Sequence, residues 1–196
     1  LVLPDESKVW LNSGSTLRYP SHFEGEKREV YLTGEGYFDV ESDLTSPFYV
    51  TIDDQIKIKA YGTKFNVNSY TDDNFIETVL ESGKVDVIIG NKPVTLNENE
   101  SAILDKEKNK ILISTIYTDE KTSWKDGRLI FRNTTLEDVI KKLSRKYNVD
   151  IVLHRESPVD YKFRASFSNE TIIQVLNYMK LAAPIEWTFS DPEQLN

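Results

Sequence analysis

The feature that most constrains this chain is an internal repeat in its last third. Thirty-six positions separate Phe131 from Phe167, and the same step carries Asn133 onto Asn169 and Thr135 onto Thr171. It also carries Leu136, Val139, Ile140 and Leu143 onto Ile172, Val175, Leu176 and Met179. Val149, Ile151 and Leu153 fall on Ile185, Trp187 and Phe189, with no gap along the way. Each copy opens with a strand-like run, continues as a helix whose apolar residues recur at steps of three and four, and closes on an alternating strand. In the first copy Thr134 is expected to cap the helix, with Glu137 reaching back as in a capping box. Lys141, Lys142, Arg145 and Lys146 mostly take the opposite face, toward the C-terminal end where cations suit the helix dipole. Two such βαβ halves, each burying one helix face on a shared sheet, make a small α+β domain.

The rest of the chain reads differently. From Leu1 to about Ile116 only short strand signals appear, separated by turns. Ile56, Ile58 and Ala60 alternate with Lys57, Lys59 and Tyr61, and Phe65, Val67 and Ser69 with Asn66 and Asn68, the half-buried pattern of a sheet. Thr33-Gly34-Glu35-Gly36 reads as a sharp connection between strands, and Glu81-Ser82-Gly83 and Gly90-Asn91 as tight turns. Ten or so strands at regular spacing mean an all-β sandwich, barrel or short β-solenoid, and spacing does not choose among them. The polar stretch from Thr115 to Ser123 marks the boundary. The expected architecture is therefore β + α/β in two domains: an all-β domain over 1–117, solenoid- or sandwich-like, and a twin βαβ domain over 124–196.

Composition excludes several classes of function. A net charge of −8 argues against nucleic-acid binding. The absence of cysteine removes disulfides, thiol catalysis and thiolate metal sites. No apolar run reaches the ~18–20 residues of a spanning helix. The sequence lacks an initiator Met and reads as a piece of something longer, with any targeting or membrane segment expected upstream.

Candidate chemistry is sparse. The two histidines, His22 and His154, have no ligand-spaced neighbours, so exposed loop residues are the expectation. Glu35 and Asp39 could be imagined as an acid–base pair, but with 32 acidic residues such a pair carries no signal. Asn66 and Asn68 share a sheet face, read most simply as solvated. Asn133 and Asn169 match the glycosylation acceptor pattern but serve better as helix starts. No catalytic residue, metal site or cofactor is expected, and no enzymatic activity. What remains is binding surface. The last strand, Ile185, Glu186, Trp187, Thr188 and Phe189, is the candidate partner-binding site, because a terminal strand can form a sheet edge that accepts a partner's strand.

Several motifs, taken together and in order, resemble a known family. They are Leu3-Pro4-Asp5 with Val9-Trp10-Leu11-Asn12; Gly34-Glu35-Gly36-Tyr37-Phe38-Asp39-Val40; Pro47-Phe48-Tyr49-Val50; Gly62-Thr63-Lys64-Phe65-Asn66-Val67; and Leu80-Glu81-Ser82-Gly83-Lys84-Val85. They resemble the extracytoplasmic region of FecR-type anti-sigma factors. Trp124-Lys125-Asp126-Gly127-Arg128-Leu129 and the repeat after it look like the family's C-terminal domain in its Bacteroidetes form, similar to the secretin and TonB short N-terminal module. The resemblance implies a periplasmic sensor, tethered to the membrane upstream. It would be signalled by the N-terminal domain of a TonB-dependent transporter and would act on an ECF sigma factor through a cytoplasmic segment absent here. The alternative is a carbohydrate-binding module of a glycan-utilisation system, which requires Trp10, Tyr37, Tyr61 and Tyr70 to line one groove.

Overall fold

The computed structural model describes residues 1–155 and 161–190 and divides into two compact units, Leu1–Lys125 and Asp126–Asn196. Unit 1 contains β1 (Lys8–Leu11), β2 (Thr16–Arg18), β3 (Arg28–Asp39), β4 (Phe48–Thr51), β5 (Ile56–Ala60), β6 (Lys64–Ser69), β7 (Phe75–Ser82), β8 (Val85–Ile89), β9 (Lys92–Leu96), β10 (Glu100–Asp105) and β11 (Lys110–Thr115). These strands form one curled, half-barrel sheet in the order β11-β10-β7-β6-β3-β4-β5-β8-β9, with β1 and β2 also on β3. The expected solenoid or two-layer sandwich is thus replaced by a single sheet that curls on itself.

The bend that makes this possible lies inside β3. Residues 28–33 pair with β2 and, in parallel, with β4; residues 34–39 pair with β1 and β6. The glycine-rich run expected as a connection is the middle of this 12-residue strand. Gly34 sits at the change of partners with φ +94, and a Cβ there would lie 2.5 Å from Ser15 Oγ. Only glycine supplies both the positive φ and the close approach. Gly83 marks a similar surprise. The turn it occupies does not close a hairpin, because β7 pairs with β6 and β10 while β8 pairs with β5 and β9. The core inside the curl includes Val30, Leu32, Phe38, Phe48, Ile58, Phe65 and Leu80, all at most 1% exposed.

Beyond β11 the polar stretch expected to mark the boundary is folded: α1 (Asp119–Thr122) runs into a 3-10 turn (Ser123–Asp126). Thr122 and Ser123 are buried, so this polar segment belongs to unit 1 as far as Lys125. Serine and threonine hide their hydroxyls by bonding backbone carbonyls, as Thr122 Oγ1 does to Thr118 O at 3.1 Å, and polarity alone is a poor guide to a boundary.

Unit 2 contains β12 (Leu129–Thr135), α2 (Leu136–Tyr147), β13 (Ile151–Arg155), β14 (Lys162–Phe167), α3 (Ile172–Ala182) and β15 (Ile185–Phe189). Both helices bury the expected faces, Leu136, Val139, Ile140 and Leu143 on α2 and Ile172, Val175, Leu176 and Met179 on α3. The caps fall one residue later than expected on α2. Thr135, not Thr134, accepts from Asp138 N at 3.2 Å, and Thr171 accepts from Gln174 N at 3.3 Å while its own N–H donates to Gln174 Oε1. Thr135 and Asp138 are the repeat equivalents of Thr171 and Gln174. Thr134 instead follows a β-bulge at Asn133, whose φ is +58.

The sheets correct the βαβ expectation in one respect. Among the described residues there is no shared sheet: β12 pairs antiparallel with β14, and β13 with β15, so each two-stranded sheet takes one strand from each repeat. Within these ladders Ile130 faces Ser166 and Val152 faces Thr188. Each of those pairs spans the repeat offset itself, so a pseudo-twofold axis passes through both. The repeat is a symmetry of the folded unit as well as of its sequence.

Candidate partner-binding site

The expected partner-binding strand, β15, is the edge of the β13–β15 ladder among the described residues. Its side chains alternate as a half-buried strand should. Ile185 is 1% exposed, Trp187 and Phe189 pack partly against the unit 2 core, and Glu186 and Thr188 point to solvent. The two rings meet edge to face at 5.3 Å. Lys180 Nζ lies 2.8 Å from Glu186 Oε1, and this hydrogen bond holds the Glu186 carboxyl below its ordinary pKa. Thr188 Oγ1 is 2.9 Å from His154 Nε2, which is an exposed strand residue rather than a loop one.

Backbone direction matters more than these side chains. Ser190 N donates to Asp150 O at 2.9 Å, in register with the ladder. Antiparallel ladders alternate, so Thr188 and Glu186 also turn their N–H and C=O toward β13, while Ile185, Trp187 and Phe189 turn theirs to the open side. A partner strand would therefore read the backbone of Trp187 and Phe189.

The outer helix faces make the two sides of unit 2 unlike. Where α2 carries Lys141, Lys142 and Arg145, the repeat equivalents on α3 are Asn177, Tyr178 and Leu181. Tyr178 is 52% and Leu181 86% exposed. The α3 side, from which the chain enters β15, is thus the apolar one.

Unit 1 holds a polar seam that sequence reading did not assemble. Glu35 accepts from Asn12 Nδ2 at 2.7 Å and from Asn66 Nδ2 at 2.9 Å, and Asn66 Oδ1 accepts from Trp124 Nε1 at 3.1 Å. Asn66 is 2% exposed, so the solvated-face reading fails for it. An amide in a sheet interior is stable only with its polar atoms paired, and here all of the bonds are supplied from distant chain. Glu35 is accordingly a structural acceptor, and Asp39, its imagined acid–base partner, pairs with Lys64 at 3.1 Å.

Trp124 is one of three side chains that pin the segment 119–125 onto the sheet. Lys125 Nζ sits 4.9 Å from the Tyr37 ring centroid, and Lys121 Nζ is 2.7 Å from Glu77 Oε2. Burial presses the Lys121 ammonium toward its neutral form, but the Glu77 carboxylate outweighs it and holds the pKa above the ordinary 10.5. Because the folded value is the raised one, this stabilisation is fully present below the ordinary value and is lost as pH rises through the folded one. Glu77→Gln is expected to cost about 1–3 kcal/mol by leaving a half-buried ammonium without its counter-charge. The check is amide exchange over residues 118–125 at one fixed pH near neutrality, which should quicken in the variant relative to the wild type.

The four aromatics that a sugar groove would need do not come together. Trp10 meets Tyr37 edge-on at 5.6 Å beside a shallow groove of about 460 Å³ that Trp124 and Lys125 also line. Tyr70 is 6% exposed with its hydroxyl on Ser13 O at 2.7 Å, and Tyr61 lies elsewhere, under Lys59. His22 is exposed beside Ser21, and among the described residues no three His, Asp or Glu side chains gather as metal ligands would.

Two family models and two solved structures match this chain. Residues 1–86 match the FecR protein family and residues 128–194 match the FecR C-terminal family. A crystal structure at 1.65 Å of a protein from Parabacteroides distasonis ATCC 8503, assigned as an anti-sigma factor, superposes with a TM-score of 0.88 at 31% identity. It covers 97% of this chain and 90% of its own. A second, at 2.50 Å, gives 0.86 and 32%, covering 95% and 87%. The chain belongs to the FecR family of anti-sigma factors. FecR-type proteins are regulatory rather than catalytic and act in cell-surface signalling. No curated protein matches the sequence. No helix among the described residues is long and apolar enough to cross a membrane.

Proposed function

We propose that this FecR-type chain is the periplasmic sensor part of a transmembrane anti-sigma factor, and that unit 2 receives the signal by docking the N-terminal signalling domain of a TonB-dependent outer-membrane transporter. The signal passes from there to an ECF sigma factor, held by a cytoplasmic segment that this sequence does not contain. The observation that carries the reading is the open side of β15, where the backbone groups of Trp187 and Phe189 have no strand partner among the described residues. Strand addition supplies affinity through the backbone, and the flanking side chains supply selectivity. The exposed Tyr178 and Leu181 on α3 extend an apolar margin on the same unit.

The edge can be tested without unfolding the unit. Thr188 is the wrong place for a proline, since its N–H faces β13. Phe189→Pro removes an N–H from the open side, and Phe189→Ala removes the same ring while keeping that N–H. In calorimetric titrations against purified transporter signalling domains, Phe189→Pro should bind about tenfold more weakly than Phe189→Ala, a difference of about 1.4 kcal/mol. Equal affinity of the two variants, both folded by circular dichroism, would sink edge pairing at β15. Failure of the wild type to bind any such domain would sink the transporter reading itself.

A further inference from the structure

Residues 118–125 hold to the sheet of unit 1 with almost no hydrophobic contact of their own. Trp124 is their one hydrophobic side chain, and it is only half-buried. Their helix, α1, is a single turn of four residues, too short to be stable by itself. Yet the sheet face beneath them is closed to water. Tyr37, Asn66, Val79 and Ser101 lie across from one another on β3, β6, β7 and β10, and all are at most 3% exposed. None of the four belongs to the core cluster inside the curl, so this row is covered on the opposite face.

Polar contacts supply the attachment. Trp124 Nε1 donates to Asn66 Oδ1, Lys125 Nζ lies over the Tyr37 ring, and Lys121 Nζ pairs with Glu77. Glu77 also accepts from Ser101 Oγ at 3.3 Å. Buried apolar area is what makes the opening of a segment costly, and these residues hold little of it. Water can take over each of these bonds on both sides when the segment lifts. The face left behind is itself polar, with Glu35, Asn66 and Glu77 to hydrate. The strands β6 and β7 stay anchored, because Phe65, Val67 and Leu80 on their other face are in the core.

We infer that residues 118–125 form a releasable clasp, which lifts from β3, β6 and β7 as one unit while the sheet remains folded. Ladder pairing ends at Ile116, whose N–H donates to Asn99 O at 2.9 Å. Unit 2 begins at Asp126. Release therefore turns residues 117–125 into a free tether of up to about 30 Å. The closed and open states differ in the length of free chain ahead of unit 2 and in whether the polar row is covered.

Charge tunes the clasp. The Lys121 ammonium is attracted by Glu77 and Glu35 of the sheet, an interaction that salt screens in part. The trigger for release rests on the docking reading above: a partner that draws on unit 2 loads the clasp end-on, through the Lys125–Asp126 peptide. Contacts then give way in order from Lys125 to Lys121. The clasp itself is tested without that partner.

The experiment is native-state amide exchange of the full chain, at one pH near neutrality and in rising sub-denaturing urea. The amides of Lys121, Thr122 and Ser123, bonded within the segment to Thr118 O and Asp119 O, should exchange through one shared opening. That opening should be at least about a hundredfold more populated than the one that exposes β6, and nearly independent of urea, because little surface is uncovered. Trp124→Phe keeps an aromatic ring, removes the N–H, and should raise the shared opening at least about fivefold. Lys121→Met, at the other end of the clasp, should quicken the Ser123 amide together with the rest, and high salt should do so more weakly. Clasp amides that exchange only with β6, on the same urea slope, overturn the proposal, as does exchange left unchanged by both substitutions. Neither result depends on a signalling domain, so failure of the clasp and failure of the transporter reading are told apart.

Discussion

Phe38→Ala should lower the stability of unit 1 by about 3–5 kcal/mol, the usual cost of emptying an aromatic site in a closed core. The Phe38 ring is fully buried, stacked on Phe65 at a centroid distance of 5.1 Å and tilted against Phe48 at 6.2 Å. It lies on the half of β3 that has changed partners after Gly34, so it ties the bend to β6 and to β4 at once. The surrounding strands are held by their ladders and cannot collapse into the vacancy, which places the loss in the upper part of the Phe→Ala range. Denaturant unfolding followed by tryptophan fluorescence reads it, since Trp10 and Trp124 both belong to unit 1. A loss below about 1 kcal/mol would mean that the core at this point is loosely packed.

Asp5→Ala should be nearly as damaging, although Asp5 is in a terminal loop. Arg28 is 4% exposed, and its Nη1 lies 2.7 Å from Asp5 Oδ2 and 2.9 Å from Glu41 O, with Nε 2.8 Å from Ser46 O. The guanidinium therefore joins the first residues of the chain, the start of β3 and the loop over 41–46. Removing the carboxylate leaves a buried cation with carbonyls alone, which costs about 3–5 kcal/mol in comparable pairs. The Asp5 side chain is 13% exposed, so water can partly replace it and the loss should fall near the lower figure. Asp5→Ala combined with Arg28→Met should recover most of the stability, because an apolar pair of similar volume does as well as a buried ion pair. If the double variant is no better than the single one, the damage comes from the lost Ser7 contacts of Asp5 and not from the stranded charge.

Much of unit 2 is legible in the sequence. The buried faces of α2 and α3 follow from apolar spacing, a local property with a period of 3.6 that a sequence displays directly. The 36-residue offset goes further: it pairs Thr135 with Thr171 and Asp138 with Gln174, enough to correct the Thr134 cap from sequence alone. Strand existence in unit 1 was legible for the same reason, as a period of two. The family could be read from short motifs because they recur in order, although each alone is generic. The strand 185–189 lies at a ladder edge among the described residues, but its periodicity does not distinguish the residues whose backbone faces outward from those bonded to β13.

The rest was decided by contacts between residues far apart in the chain. Gly34 looks like a turn glycine, yet it is required by Ser15, about twenty positions earlier, pressing on its Cα hydrogen. Asn66 alternates like a solvent-facing residue, and only the arrival of Glu35 and Trp124 makes its burial tolerable. The strands of each βαβ repeat could have paired with one another; instead the second repeat supplies both partners, and two small antiparallel sheets form in place of one. Periodicity records which face of an element is apolar, and it fixes secondary structure because backbone geometry is the same everywhere. It carries no record of which strand will supply the partner hydrogen bonds, since every backbone N–H is alike until the chain is closed into three dimensions. That choice is why this chain curls one sheet in unit 1 and splits two in unit 2.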